Sequence, residues 1–228
     1  MKIVVLTGAG VSAESGVPTF RDADGLWEGH RVEDVATPEA YEYQPSAVHR
    51  FYDARRAALA AVEPNAAHRA IADLEAALGD DLLVVTQNID DLHERGGSTR
   101  VLHMHGELLS ALCRTCETRS PWHDDLGHGP DCPRCATADL RPDVVWFGEV
   151  PYEMDRIFDA LESCDLFVSI GTSGAVYPAA GFVRAARGYG ARTLELNLQP
   201  SEGSLFFHES RQGRAGELVP AWVDDLLS

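Results

Sequence analysis

Short, continuous apolar runs alternate along the chain with longer stretches of helical periodicity. Ile3–Leu6, Leu82–Thr86 and Leu166–Ile170 have the length and composition of strands buried on both faces. A fourth run, Arg192–Leu196, follows a helical stretch from Pro178 to Tyr189. Asn65 is placed to cap a helix reaching Leu78, with Ile71, Leu74 and Leu78 on one face and Gly79 as its stop. Pro45 to Val62 reads as another helix. Val48, Phe51, Tyr52, Arg55 and Leu59 share its inward side, while Arg56 has the opposite phase and is expected at the surface. Leu218 to Leu227 closes the chain. Strands alternating with helices predict an α/β fold with an open parallel sheet. Two stretches interrupt the alternation. Gly16 to Tyr43 is polar, rich in Gly and Pro, and longer than an ordinary strand-to-helix loop; such loops are usually functional. Cys113 to Cys135 shows little periodicity and reads as a metal-stapled insert.

Composition narrows the partners. The chain has 228 residues, 45% hydrophobic and 24% charged, which suits a soluble globular protein of one domain or one domain with a small insert. It contains no run of 18 apolar residues, so no membrane association is expected. The apolar start Ile3–Leu6 is too short for a signal peptide, and a cytoplasmic location is the expectation. Thirty-six acidic against 19 basic residues give a net charge of −17. Binding nucleic acid by phosphate neutralisation needs a basic face, so direct nucleic-acid binding is not expected. Such a field favours basic protein segments instead. No oligomer seam is visible, which leaves a monomer as the default.

Cys113-Arg114-Thr115-Cys116 and Cys132-Pro133-Arg134-Cys135 are two CxxC knuckles separated by 15 residues. This is zinc-ribbon spacing. Four thiolates close a tetrahedral shell and leave no position for water, so Cys113, Cys116, Cys132 and Cys135 predict structural rather than catalytic zinc. Disulfides are the competing reading, disfavoured in a reducing compartment. Cys164 lies outside the set and is expected to be a buried, inert thiol.

Gly8, Gly10 and Ala13 satisfy G-x-G-x-x-G/A directly after the first strand. Glycine lets the backbone approach a pyrophosphate, and the following helix start offers unpaired N–H groups. No acidic residue sits at the end of a clear second strand about 20 positions on, as a plain dinucleotide fold would have; the long loop occupies that region instead. A simple dehydrogenase is therefore disfavoured. Asn88 and Asp90 follow the second strand, where open α/β sheets bind ligands. Taken alone, these residues read more readily as turn and capping chemistry. An isolated His105 would likewise be read as a satisfied core histidine.

The ordered set of motifs resembles the sirtuin family. Gly8-Ala9-Gly10-Val11-Ser12 with Glu14-Ser15-Gly16-Val17-Pro18-Thr19-Phe20-Arg21 is similar to its cofactor loop. Gln87-Asn88-Ile89-Asp90 resembles its nicotinamide-ribose motif, His103-Met104-His105-Gly106 its catalytic motif, and the four cysteines its zinc module. Gly171-Thr172-Ser173, Asn197-Leu198-Gln199 and, more softly, Ala215 match its late cofactor contacts. The resemblance implies a Rossmann-like NAD-binding domain of residues 1–25, 65–106 and 143–228, with a small domain of 26–64 and 107–142. It implies NAD as co-substrate, one structural zinc, and acyl-lysine proteins or peptides as partners. Lysine deacylation would yield nicotinamide, free lysine and O-acyl-ADP-ribose. His105 would be the general base and His103 a structural residue. Phe20 and Arg21 would cover the nicotinamide end; Trp27 could do so or simply pack.

Tyr52 and Arg55 lie three residues apart on the inward helix face and resemble the Tyr-x-x-Arg signature of sirtuins that remove succinyl or malonyl groups. A guanidinium can clasp a carboxylate with two hydrogen bonds. The alternative is an Arg55 that pairs with an acidic side chain or reaches water. Ala36 matches a small residue that widens the acyl pocket in that subgroup. Val145, Phe147 and Gly148 resemble the segment that pairs with substrate backbone; Val145 and Phe147 could also be plain core strand. An NAD glycohydrolase or ADP-ribosyl transferase on the same scaffold, and a non-catalytic zinc and NAD module, are the alternatives.

Overall fold

The computed structural model describes residues 1–19, 27 and 29–228. The first two apolar runs form strands β1 (Ile3–Thr7) and β2 (Leu82–Thr86), and the short strand β3 (Val101–His103) comes next. β4 (Gly106–Cys113), β5 (Arg119–Pro121) and β6 (Leu140–Val144) follow, then β7 (Leu166–Ile170), β8 (Arg192–Asn197) and β9 (Glu209–Gln212). The helices are α1 (Val32–Val35), α2 (Pro38–Tyr43), α3 (Pro45–Leu59), α4 (Ala66–Leu78), α5 (Leu92–Arg95), α6 (Met154–Ser163), α7 (Phe182–Gly188) and α8 (Ala215–Leu227).

Among the described residues the larger sheet has the order β3-β2-β1-β7-β8-β9, all parallel. Alternate residues of β1 feed two different cores. Ile3 and Val5 pack with Ile71 and Leu74 of α4 and Val219 and Trp222 of α8. Val4 and Leu6 pack with Ile157 and Leu161 of α6 and Phe182 of α7. Burial on both faces explains why these strands read as continuous apolar runs. The chain leaves β1 toward β2 on one side and returns as β7 on the other, so the switch point of the sheet lies between β1 and β7.

The smaller sheet, β5-β4-β6, is antiparallel. It carries the cysteine knuckles at one end and packs beside α3 at the other. α4 begins with a reciprocal cap: the Asn65 side chain accepts from the Ala67 amide, and the Asn65 amide donates to His68 Nδ1. Among the described residues no helix is long and apolar enough to cross a membrane.

Candidate active site

The loops after β1, β2, β7 and β8 meet at the carboxyl edge of the larger sheet. Gly8 and Gly10 are glycines for a reason that sequence alone did not give. The Gly8 amide donates to the Ile170 carbonyl and the Gly10 amide to the Gly171 carbonyl. A Cβ on Gly10 would lie 2.7 Å from Gly171 Cα, and one on Gly171 would lie 2.5 Å from the Val11 nitrogen. The first glycine loop is thus pressed onto the third loop, in addition to any ligand it admits. A narrow cleft near this crossing is lined by Gln87, Ser169, Thr172 and Gly174 among others.

Ser12 ties the first loop to the second. Its hydroxyl donates to Asp90 Oδ2 (3.0 Å) and accepts from Asn88 Nδ2 (3.1 Å). His68 Nδ1 accepts from Asn65, so its Nε2 carries the proton and faces Ser12 Oγ at 3.4 Å. Burial lowers the His68 pKa to about 4, which keeps the ring neutral. Burial also raises the Asp90 carboxyl, and hydrogen bonds from the Leu92 amide and Ser12 oppose that rise. Deeper still, the Thr7 hydroxyl donates to Thr86 and accepts from His93 Nε2, each at 2.9 Å. Burial holds His93 neutral as well. His68 and His93 were missed in the sequence; the capping pattern Asn65-x-x-His68 was the available signal for the first.

His105 follows β3. Its Nδ1–H donates to the Gln87 carbonyl (3.1 Å), which leaves Nε2 as the acceptor nitrogen. Burial lowers its pKa, and the Gln87 bond offsets part of that shift. Gly106 has φ +83, and a Cβ there would come within 2.1 Å of the Asp143 carbonyl oxygen, so only glycine fits beside His105. His103 reaches the next carbonyl of the same loop, that of Asn88 (3.1 Å), and Glu94 (2.9 Å).

A second group gathers where the small sheet meets α3. Ala36, Phe51, Tyr52 and Trp146 are buried in one cluster, with Trp27 and Ile89 packed against it. The Tyr52 hydroxyl accepts from Trp146 Nε1 at 3.0 Å, and burial raises its pKa. Arg55 is buried, its guanidinium lying 3.2 Å from the Phe51 ring centroid and 4.9 Å from that of Trp27, and it donates to the Phe51 carbonyl. Trp27 therefore packs in this cluster. The Val145 amide donates to the His105 carbonyl and the Phe147 amide to the Ala36 carbonyl. This segment runs between His105 and the cluster instead of continuing β6 as a strand. Gly148 turns it at φ +95, with open space where a Cβ would stand.

Arg56 corrects the periodicity reading. It is buried, not exposed, and pairs with Asp53 at 2.7 Å while its Nε donates to the Leu108 carbonyl. Helical phase placed it outward, but the small sheet packs across that side of α3, and Asp53 one turn earlier supplies the countercharge.

The remaining residues of the expected cofactor motifs lie around the rim. Asn197 Nδ2 donates to the Thr172 carbonyl (2.7 Å), so its amide fastens the β7 and β8 loops together. Ser173, Leu198 and Gln199 are exposed and Ile89 is half-buried. Glu14 accepts from the Gly216 amide at 2.8 Å, which brings the glycine loop, with Ala9, to the start of α8 beside Ala215. Phe20 and Arg21 lie outside the described residues. The Sγ atoms of Cys113, Cys116, Cys132 and Cys135 fall within 4.8 Å of one another, with Cys113–Cys135 at 3.6 Å and Cys116–Cys132 at 3.7 Å. Four sulfurs around a tetrahedral zinc with ~2.3 Å bonds stand ~3.8 Å apart, so the donor set fits that ion.

Known proteins match this arrangement. The Sir2 family model covers residues 8–178. A protein named NAD-dependent protein deacylase from Pasteurella multocida (strain Pm70) is 55% identical over 230 residues, 100% of this chain and 98% of that protein. A solved Sir2 homologue in complex with NAD is 38% identical with a TM-score of 0.89, covering 100% of this chain and 91% of that chain. A structure of Sir2 bound to acetylated peptide is 26% identical with a TM-score of 0.84, covering 98% of this chain and 92% of that one. Matched from the glycine loop to the last helix, in sequence as well as in fold, the chain belongs to the Sir2 family.

Proposed function

We propose that this chain removes acyl groups from protein lysines with NAD as co-substrate, and that it favours short acyl groups ending in a carboxylate. The activity follows from the relatives: a deacylase matched end to end, a homologue bound to NAD, and one bound to an acetylated peptide. The observation that carries the mechanism is the state of His105. With its Nδ1–H given to the Gln87 carbonyl, and a pKa below the ordinary histidine value, its Nε2 is ready to accept a proton at neutral pH. After the acyl oxygen displaces nicotinamide, that nitrogen would take the proton from a ribose hydroxyl. Asn88 and Asp90, held by Ser12, would orient the ribose and the nicotinamide amide. Gly8, Gly10 and Ser12, with Thr172 and Ser173, would cradle the phosphates. Asn197, Leu198, Gln199 and Ala215 would border the adenosine, and Glu14 ties the glycine loop to the start of α8. Val145, Phe147 and Gly148 would carry the peptide backbone. Cys113, Cys116, Cys132 and Cys135 would hold zinc, which stabilises the fold and takes no part in the chemistry.

The acyl preference rests on Ala36 and Tyr52 lying in one buried cluster, with the buried Arg55 guanidinium over its Phe51 ring. A guanidinium can clasp an acyl carboxylate with two charge-assisted hydrogen bonds, and Tyr52 lies on the same helix face. The test compares succinyl-lysine and acetyl-lysine forms of one peptide in wild type and Arg55→Met. Loss of a charge-assisted pair should lower kcat/KM for the succinyl peptide about 10- to 100-fold and leave the acetyl peptide nearly unchanged. Equal effects on both peptides would return Arg55 to a structural role.

A further inference from the structure

The loop that carries Asn88 and Asp90 is held by two histidines, on consecutive carbonyls. His105 donates Nδ1–H to Gln87, and His103 donates Nδ1–H to Asn88, each at 3.1 Å. The two rings differ at the other nitrogen. His103 Nε2 lies 2.9 Å from Glu94 Oε1. A carbonyl and a carboxylate only accept hydrogen bonds, so both His103 nitrogens must donate, and only the imidazolium has two N–H groups. The ring is well covered, with 8% of its side chain exposed. We propose that His103 is an imidazolium clamp, a positioning residue that fixes the Asn88 loop and sets the alkaline limit of activity. This rests on the function proposed above.

The charges around the ring agree with this assignment. Glu94 faces it from α5 and Glu107 from β4. Asp143, Arg119, Tyr152, Glu153 and Arg156 complete the cleft that it lines. Burial alone would lower the His103 pKa; the bond and charge of Glu94, then Glu107, outweigh it and raise the value. Its positive charge in turn opposes the rise of the Asp90 carboxyl, which favours the ionised form. Once His103 loses a proton, a single N–H remains for two acceptors, and either the Asn88 carbonyl or Glu94 is released. His105 shifts the other way, to lower pKa. Activity should therefore rise with pH as His105 loses its proton and fall at higher pH as His103 loses its own.

Nitrogen-15 spectra of the histidine-labelled full chain and pH–rate profiles of nicotinamide release from NAD plus acyl peptide provide the test. At neutral pH the two His103 nitrogens should show imidazolium shifts. Glu94→Gln, on the exposed side of the pair, should move the alkaline limb to lower pH and leave the acid limb in place. Rates on that limb should fall about 2- to 10-fold, the worth of one net hydrogen bond. His103→Asn keeps an N–H for the Asn88 carbonyl without a titrating ring and should flatten the limb. Neutral-ring spectra for His103 at neutral pH, or an alkaline limb unmoved in both variants, would overturn the clamp. Wild type that releases nicotinamide with no acyl substrate would instead overturn the deacylase reading, and the nitrogen spectra would still decide the state of His103.

Discussion

Asp53→Ala should uncouple the cysteine-bearing module from helix α3. Asp53 Oδ1 accepts from Arg56 at 2.7 Å and from the Leu126 amide at 3.0 Å, and Oδ2 accepts from the Gly127 amide at 3.1 Å. The two side chains are 11% and 3% exposed, and Arg56 also holds the Leu108 carbonyl of β4. Removing one partner of a buried pair strands the other charge, at a cost of about 3–5 kcal/mol. The Gly127 end of the loop is exposed and can be rehydrated, so the freed amides should add little to that figure. A domain of ordinary stability holds about 5–15 kcal/mol in total, so the loss is a large fraction of it. Urea unfolding at neutral pH gives the change, and limited proteolysis around residues 126–131 reports whether the loop opens. A double variant, Asp53→Leu with Arg56→Met, should recover much of the loss, because it leaves no buried charge behind. A loss below about 1 kcal/mol for Asp53→Ala, the value of an exposed pair, would refute this view of the clasp. So would a double variant less stable than the single one.

Two further outcomes follow from the same geometry. Gly106→Ala places a Cβ 2.1 Å from the Asp143 carbonyl oxygen at φ +83, so it should displace His105 or prevent folding; an alanine variant with wild-type kcat/KM would contradict the packing described. Stability should fall as pH drops from about 6.5 toward 4. The His68 pKa is depressed to about 4 in the folded chain, so its contribution is complete above the unfolded value of 6.5 and lost as pH falls through the folded one. That contribution is on the order of 3 kcal/mol, and urea midpoints at pH 7.5 and 4.5 should differ accordingly, with a smaller difference in His68→Gln. A flat profile would mean that His68 is solvated.

Much of this was legible because the pattern was physical. β1, β2 and β7 are buried on both faces and therefore read as apolar runs, and α4 announces itself with a cap and a stripe. β9, Glu209–Gln212, was invisible: it is an edge strand of polar residues, and edges are made polar to avoid further pairing. β3 is three residues long and gave no periodic signal. The site motifs were found by their order along the chain, whereas what holds them in place was not. Ser12 stands in the cofactor-loop motif, yet its hydroxyl also joins Asn88 to Asp90. Gly10 was read as room for a ligand, yet Gly171 already stands against it. Arg56 was misplaced because helical phase cannot see the small sheet that covers that side of α3. Each miss concerns a contact between segments distant in sequence, where local propensity carries no information.

The central claim is that His105, primed by the Gln87 carbonyl, is the base of an NAD-dependent deacylation. Mass spectrometry of an acyl-lysine peptide with NAD, comparing wild type with His105→Ala, tests it most directly. Wild type should convert the peptide to free lysine with matching amounts of nicotinamide and O-acyl-ADP-ribose, and the variant should form neither free lysine nor the ester. A variant that still deacylates at the wild-type rate, or a wild type that releases nicotinamide without an acyl peptide, would contradict the account.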